Sequence, residues 1–450
     1  MSARALAHAV LLAVAAGRPL DGELDAALAR ATPRDRPLLA ELVRGTLQWQ
    51  GRYDHLLRRF CRRRPPSDPA LLAVLRLGLH QLCGLDGVPP HAAVHETVEL
   101  ARRACGEREA GFVNGLLQSV RRDVLGEEPP TGRPAREARL RPWFDDLGPG
   151  TAPWLAAWHA HPAWLVERWR ERLGPDATGA LCAWNNAPVP VTLHVRRPGD
   201  AARARADLEA DGVATTPHPG DPRALELAQP LERARLAALL AAHPGLTVQD
   251  PSVQQATAWL AADAVAAAGP GDVLADLCAA PGGKTALLCG WWPGPLVAAD
   301  STPVRLALLR STLKRIDAGP VGVLLADGRR PALRPGSLAA VLLDGPCSGT
   351  GVLRHHPEAR TRLRPAHVQR SAERLGELAG AAADLLRPGG WLLYATCSLE
   401  PAENAGVVEA LLRSRDDLEP APDGEGRWQR LWLPHEARGD GFFAARLRRK

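Results

Sequence analysis

Two cysteines stand where short apolar runs end. Asp344-Gly345-Pro346-Cys347-Ser348-Gly349-Thr350-Gly351 follows the run Ala339–Leu343, and Tyr394-Ala395-Thr396-Cys397-Ser398 ends another that starts at Trp391. A free cysteine ordinarily packs as a small hydrophobe. Two of them at strand ends beside a carboxylate suit covalent chemistry better. A thiolate adds to an electron-poor ring, an acid stabilises the charge that develops, and a further group assists release. Cys397, Cys347 and Asp344 could fill these roles, and the residues alone leave open which cysteine attacks.

A third motif, Asp276-Leu277-Cys278-Ala279-Ala280-Pro281-Gly282-Gly283-Lys284-Thr285, leaves an apolar run and enters a helical one. Small residues let the backbone approach a ligand, and a helix N-terminus offers free N–H groups. The loop is neither a dinucleotide fingerprint nor a Walker A loop, whose first glycine is missing. Asp300, Asp327 and Asp344 each follow a later apolar run and form a row of carboxylates. An acid at the end of the second strand can bind both hydroxyls of a ribose. Adenosine without pyrophosphate suits this set, as in S-adenosylmethionine. A methyl donor beside a thiol nucleophile points to carbon 5 of cytosine, a poor nucleophile until a thiolate adds at carbon 6. An amino-group methyltransferase would instead be expected to place an aromatic residue beside Asp-Pro-Pro.

The elements that position these motifs follow from periodicity. From residue 250 strands and helices alternate: Val273–Leu277, Leu296–Ala299, a helix over 303–315, Val321–Leu325, Ala339–Leu343 and Trp391–Thr396. Such alternation predicts a doubly wound, Rossmann-like parallel α/β sheet with ligands at the carboxyl ends of its strands. From residue 3 to about 122 the pattern is helical, with Leu38, Leu39, Leu42 and Val43, then Leu71, Leu72, Leu75 and Leu79, then Val94, Val98 and Leu100. The chain therefore reads as multidomain: an all-α bundle over 1–125, a linker over 126–150, a small helical and α+β module over 151–235, and the catalytic sheet over 236–450. In the module, Val189–Val195 and Leu225–Leu227 read as strands and Ala201–Asp211 as a helix.

Composition narrows the class. The formal net charge is +6, and residues 1–125 hold 18 Arg against 13 Asp and Glu, including five arginines among the seven residues Arg58–Arg64. A polyanionic partner or a solvated helix end would each explain that run. Eight cysteines without a C-x-x-C pair fit neither a disulfide framework nor a structural zinc site, so no metal and a reducing, cytoplasmic setting are expected. Leu6, Val10, Leu11 and Val14 fit one face of an amphipathic helix better than a signal peptide. No apolar run approaches the roughly 18 residues of a membrane span.

The catalytic motifs resemble the RNA cytosine-5 methyltransferases of the Nol1/Nop2/Sun family. Three motifs in order carry this: Cys278–Lys284, Asp344–Gly351, and Thr396-Cys397-Ser398 with Glu403-Asn404. The resemblance implies that Cys278, Ala279, Ala280, Pro281, Gly282, Gly283, Lys284, Asp300, Asp327 and Asp344 bind S-adenosylmethionine. It further implies that Cys397 is the nucleophile and that Cys347 assists release. Val88–Val94 and Phe112–Leu117 resemble the NusB family of RNA-binding bundles. A NusB-like bundle ahead of this catalytic domain is similar to family members that modify small-subunit (16S) ribosomal RNA, and implies that RNA as partner; the chain is expected to be a monomer. Arg354, His355, His356, Arg360 and Arg362 either hold the RNA backbone or form a solvated loop. Two readings stand beside this one: a transfer RNA methyltransferase of the same chemistry, and an RNA-binding protein whose sheet domain has lost its activity.

Overall fold

The computed structural model describes residues 2–61, 64–126, 130–196 and 199–450. Arg62 and Arg63 of the arginine run, and residues 127–129 of the expected linker, lie outside these. The described chain forms two compact units, 1–186 with 356–363, and 187–355 with 364–450. Among the described residues no helix is long and apolar enough to cross a membrane.

The first unit is all-α. The helix Ala3–Ala15 buries Leu6, Val10, Leu11 and Val14, as its amphipathic pattern requires, against the helices Arg36–Gln48 and Pro69–Gly84. Leu39, Leu42, Leu71, Leu75, Leu79 and Val94 are buried with them, whereas Leu38, Leu72 and Val98 are half-buried. Asp68 begins Pro69–Gly84 by accepting the Leu71 N–H at 2.8 Å, and Pro69 occupies the first turn, where no N–H is needed.

The expected linker over 126–150 is folded. Its composition reads as exposed, yet Arg133–Leu140 is an α-helix and Arg141–Leu147 a 3₁₀ helix. Buried Phe144 stacks on His55 at 4.5 Å, and the buried Arg136 donates to the Leu82 carbonyl at 3.1 Å, so packing on the bundle overrides local polarity. The helices Ala152–Trp158 and Ala163–Trp184, expected in the small module, also pack in this unit. The Arg52 guanidinium lies 3.9 Å from the Trp49 ring and 4.0 Å from that of Trp158, and donates to the Trp158 carbonyl at 2.7 Å.

The second unit contains two sheets. The strands β1 (Thr192–Val195), β2 (Thr215–His218), β3 (Asp221–Leu227) and β4 (Leu246–Val248) form an antiparallel sheet in the order β2-β3-β1-β4. Leu193, Val195, Leu225 and Leu246 pack there with Leu208 and Leu239 of the helices Ala201–Ala210 and Arg233–Ala242. Because β4 pairs with β1, this sheet runs past the expected boundary at 235.

The larger sheet holds β5 (Leu274–Asp276), β6 (Leu296–Asp300), β7 (Val321–Leu325), β8 (Leu338–Asp344), β9 (Leu386–Thr396), β10 (Leu418–Pro420), β11 (Gln429–Trp432) and β12 (Phe442–Arg449). Its order is β10-β12-β9-β8-β5-β6-β7, with β11 beside β12. The five strands β5 to β9 are parallel, as predicted, but β10, β11 and β12 are antiparallel additions, so the sheet is mixed. Chain order reverses at β5, which lies between β6 and β8. That is the switch point at which a ligand crevice opens beyond the strand ends.

Candidate active site

β8 and β9 are parallel neighbours with Asp344 opposite Ala395, so the loops leaving them run side by side. Cys347 and Cys397 thereby meet, Sγ to Sγ, at 3.2 Å. Two backbone bonds fix that approach. Gly351 N donates to the Cys397 carbonyl at 2.9 Å, and Gly441 N donates to the Gly351 carbonyl at 2.8 Å. The Cys347 thiol is pushed well up, first by its hydrogen bond to Cys397, then by burial and by the charges of Cys397 and Glu403.

Beside the cysteines, Lys284 Nζ donates to Asp344 Oδ2 at 2.5 Å and lies 4.9 Å from the Phe442 ring. Burial acts to lower the Lys284 ammonium, but Asp344, Cys397 and Asp276 outweigh it and hold it above its ordinary value. Asp344 is therefore one half of an ion pair, a feature that the sequence motif did not disclose. Asp276, fully buried at the end of β5, accepts from Thr285 Oγ1 at 2.7 Å, and burial raises its carboxyl to about 7.

A cavity of about 700 Å³ opens at these strand ends, and Cys278, Asp300, Asp327, Asp344, Cys347 and Cys397 all line it. Asp300 is buried, with Oδ1 accepting the Thr302 N–H at 3.1 Å and Oδ2 lying 3.7 Å from Arg305 Nε. Exposed Asp327 is gripped by Arg329, whose hydrogen bonds lower its carboxyl to about 2. Of the Cys278–Lys284 loop, Cys278 and Ala280 face the cavity and Lys284 reaches Asp344. Ala279, Pro281, Gly282 and Gly283 do not line it and shape the turn instead. Ala279 N donates to the Ala299 carbonyl at 2.9 Å, and the Ala280–Pro281 bond is cis. Gly282 has φ +105°, and a Cβ there would meet Leu309 Cδ1 at 2.9 Å.

The basic residues after the Asp344 motif are engaged within the protein. Arg360 is buried and donates to Asn186 Oδ1 and to the Asn185 carbonyl, both at 2.6 Å. Arg362 donates to the carbonyls of Val14 and Arg18, and Arg354 donates to that of Ala187 at 3.2 Å. His355 bonds Asp440 at 2.9 Å, and His356 lies 3.5 Å from Glu358. The solvated-loop expectation does not describe buried Arg360, because charge along a sequence does not reveal burial, whereas Arg354, His355 and Arg362 are half-buried and His356 is exposed. His355, Asp440 and Asp250 also cluster, with Asp440 N donating to Asp250 Oδ1 at 3.0 Å. Sequence reasoning passed over Asp440, which lies just before β12, an unforeseen strand.

Family models match three stretches of the chain. The family described as 16S rRNA methyltransferase RsmB/F matches residues 264–448, the NusB family matches 1–122, and the RsmF/B-like ferredoxin-like domain matches 161–233. Ribosomal RNA small subunit methyltransferase B of Vibrio cholerae is 32% identical over 453 residues, covering 99% of this chain and 97% of that protein. The crystal structure of PH0851 superposes with a TM-score of 0.75 at 24% identity, covering 99% of this chain and 98% of that one. The structure of NSun6 from Pyrococcus horikoshii with SFG covers 65% of this chain and 99% of its own, at TM-score 0.54 and 18% identity.

Proposed function

The chain belongs to the RsmB/F family of S-adenosylmethionine-dependent ribosomal RNA methyltransferases, and from that premise we propose that it methylates carbon 5 of a cytosine in 16S ribosomal RNA through a covalent adduct on Cys397. The observation that carries the proposal is the pair of sulfurs 3.2 Å apart beside the Lys284–Asp344 ion pair. Neither sulfur would be needed where the substrate's own amino group attacks the methyl donor.

The residues present fit the cofactor. A buried carboxylate at the end of β6 suits a ribose, and a cavity of about 700 Å³ at the switch point lies within the range of small-ligand sites. Asp300 and Asp327 would accept hydroxyl and amine hydrogens there, with Cys278 and Ala280 forming the wall. When bound, S-adenosylmethionine supplies a methyl group on a sulfonium sulfur to carbon 5.

The chain's own residues do the rest. Cys397 gives up its proton through the Lys284–Asp344 pair as its Sγ bonds to carbon 6, and the ring electrons move toward N3, which takes up that proton. Asp344 accepts the N–H so formed. Bond formation at Cys397 removes two causes that keep the proton on Cys347, namely the hydrogen bond and the charge of its neighbour. Cys347 can then lose its proton to water and, as thiolate, take the hydrogen of carbon 5 as a proton. The electron pair released restores the 5,6 double bond, N3 returns its proton, and Cys397 leaves as thiolate.

The test is a denaturing gel after incubation with S-adenosylmethionine and separated RNA classes. Cys347→Ala should accumulate a nuclease-sensitive adduct with small-subunit ribosomal RNA, and the additional change Cys397→Ala should abolish it. Adduct formation with transfer RNA in place of ribosomal RNA would replace the substrate. Absence of both adduct and methyl incorporation with every RNA would overturn the mechanism.

A further inference from the structure

Each cysteine is followed by a serine, and both serines bond one carboxylate. Glu403 is fully buried and accepts from Ser348 N at 2.7 Å, from Ser348 Oγ at 2.6 Å, and from Ser398 Oγ. The turn that carries it is tied to β9. Tyr394 OH donates to the Glu403 carbonyl at 2.5 Å, and Asn404 Nδ2 donates to the Ser398 carbonyl at 2.8 Å. Thr396 Oγ1 donates to Asn404 Oδ1 at 2.6 Å, and Thr350 Oγ1 lies 3.2 Å from Ser398 Oγ. The loops leaving β8 and β9 thus meet on this carboxylate as well as at their sulfurs.

The surroundings of the two sulfurs differ. The hydrogen bond to Cys397 and burial act first to hold the proton on Cys347 and the Glu403 charge adds to them, while Cys397 and the Lys284 ammonium act on one another. Burial pushes the Glu403 carboxyl up, and the three serine donors oppose that by stabilising its charge. The other titratable groups facing it are Glu400, Tyr394 and the cysteines themselves.

We infer that Glu403 is a positioning residue that holds the two cysteines as a pair and keeps the proton on Cys347, which leaves Cys397 as the attacking sulfur. The inference rests on the covalent reading proposed above and supplies what the motifs lack, a physical reason for the two cysteines to differ. It involves no new covalent step, since the Cys347 proton stays in place until Cys397 is bonded to the ring.

The test reads Cys347 directly, without RNA or cofactor. The full chain carrying Cys397→Ser is alkylated with iodoacetamide across a pH series, and modification of Cys347 is quantified by peptide mass spectrometry. Adding Glu403→Gln should move the midpoint down by roughly one pH unit, the scale of losing one nearby like charge. Glu403→Asp, which keeps the charge but withdraws it by one methylene, should fall between the two. Should Glu403→Gln lose its cooperative thermal transition, the Asp variant carries the test alone. Midpoints that stay at the parent value overturn the inference, even if both variants lose activity, because a role confined to holding loops would not move them. The outcome is independent of the adduct gel. An adduct with unmoved midpoints removes the role of Glu403 and leaves the mechanism, whereas moved midpoints with no adduct in any variant remove the mechanism.

Discussion

Replacing Gly351 with alanine tests whether the backbone packing around it sets the cysteine geometry. A Cβ at this position would lie 2.4 Å from the Gly441 carbonyl oxygen and 2.8 Å from that of Cys397. Ordinary van der Waals separation begins near 3.4 Å, so the two gaps must widen by about 1.0 and 0.6 Å. Both neighbours are backbone, and neither can swing away as a side chain would. The strain should cost about 1–3 kcal/mol, or roughly 2–12 °C in melting temperature for a unit of this size. The displaced Cys397 carbonyl belongs to the residue proposed to attack, and a misplacement of about 1 Å lowers rate by on the order of 100-fold. Gly376 is the control: it lies exposed within the helix Pro365–Leu385, with nothing within 4 Å of a Cβ. Gly376→Ala should therefore stabilise by about 0.4–1 kcal/mol with activity unchanged. Calorimetry and single-turnover methyl transfer read both variants. A Gly351→Ala protein that melts and turns over like wild type would show that the loops are not held by this backbone packing.

Lys284→Met leaves Asp344 without its cation, which should cost about 3 kcal/mol in calorimetry. Adding Asp344→Asn should recover part of that stability without restoring methyl incorporation. Arg360→Ala strips the hydrogen bonds to Asn185 and Asn186, so it should lower stability by about 3 kcal/mol and leave the salt dependence of RNA binding intact. By contrast, replacing Arg58, Arg59 and Arg64 should flatten that dependence, by roughly 0.7 in log–log slope for each phosphate that is no longer neutralised. The Asp250–His355–Asp440 cluster makes stability depend on pH. Burial and Asp440 raise Asp250 to about 6. Burial would lower His355, but its bond to Asp440 and the charges of Asp440 and Asp250 outweigh burial and Arg354 and raise it. Both groups bind protons more tightly in the fold, so their stabilisation is complete below about pH 4. It is lost as pH rises through 6 for Asp250 and above the ordinary imidazole value for His355. Melting temperature should fall between pH 5 and 8, and Asp250→Asn should flatten the decline.

The parallel strands were legible because a strand buried on both faces reads as an unbroken apolar run, and Leu338–Asp344 is such a run. β12 escaped for the converse reason. It contains Arg446, Arg448 and Arg449, and Arg446 looks exposed in sequence yet is 1% exposed, paired with Asp263 and packed 5.3 Å from the Trp259 ring. The folded stretch 133–147 was hidden by its polar composition, since Phe144 docks on His55 from 89 residues away. In the site, residue types and strand ends located Cys347, Cys397, Asp300 and Asp344. Their partners were not legible. Lys284 meets Asp344 across 60 residues and Glu403 meets Ser348 across 55, distances that no local pattern encodes.

That difference bears on how the chemistry is specified. Sequence places two like thiols at two like strand ends, and the parallel pairing of β8 with β9 makes them meet. A symmetric pair would attack through either sulfur and hold a proton on neither in particular. On the reading proposed above, what breaks the symmetry comes from outside both strands: a lysine delivered by the segment after β5 and a glutamate delivered by the turn after β9. Each sits on a backbone element anchored by its own packing or hydrogen bonds, Lys284 through the Gly282 turn and Glu403 through Tyr394 and Asn404. Substitutions that loosen those anchors should therefore blur the division between the cysteines before they unfold the sheet. Tyr394→Phe, which removes the bond to the Glu403 carbonyl and keeps the buried ring, is the mildest such change. In the Cys397→Ser chain it should shift the Cys347 alkylation midpoint in the direction of Glu403→Asp while the melting temperature stays within a few degrees, roughly the effect of removing one hydrogen bond.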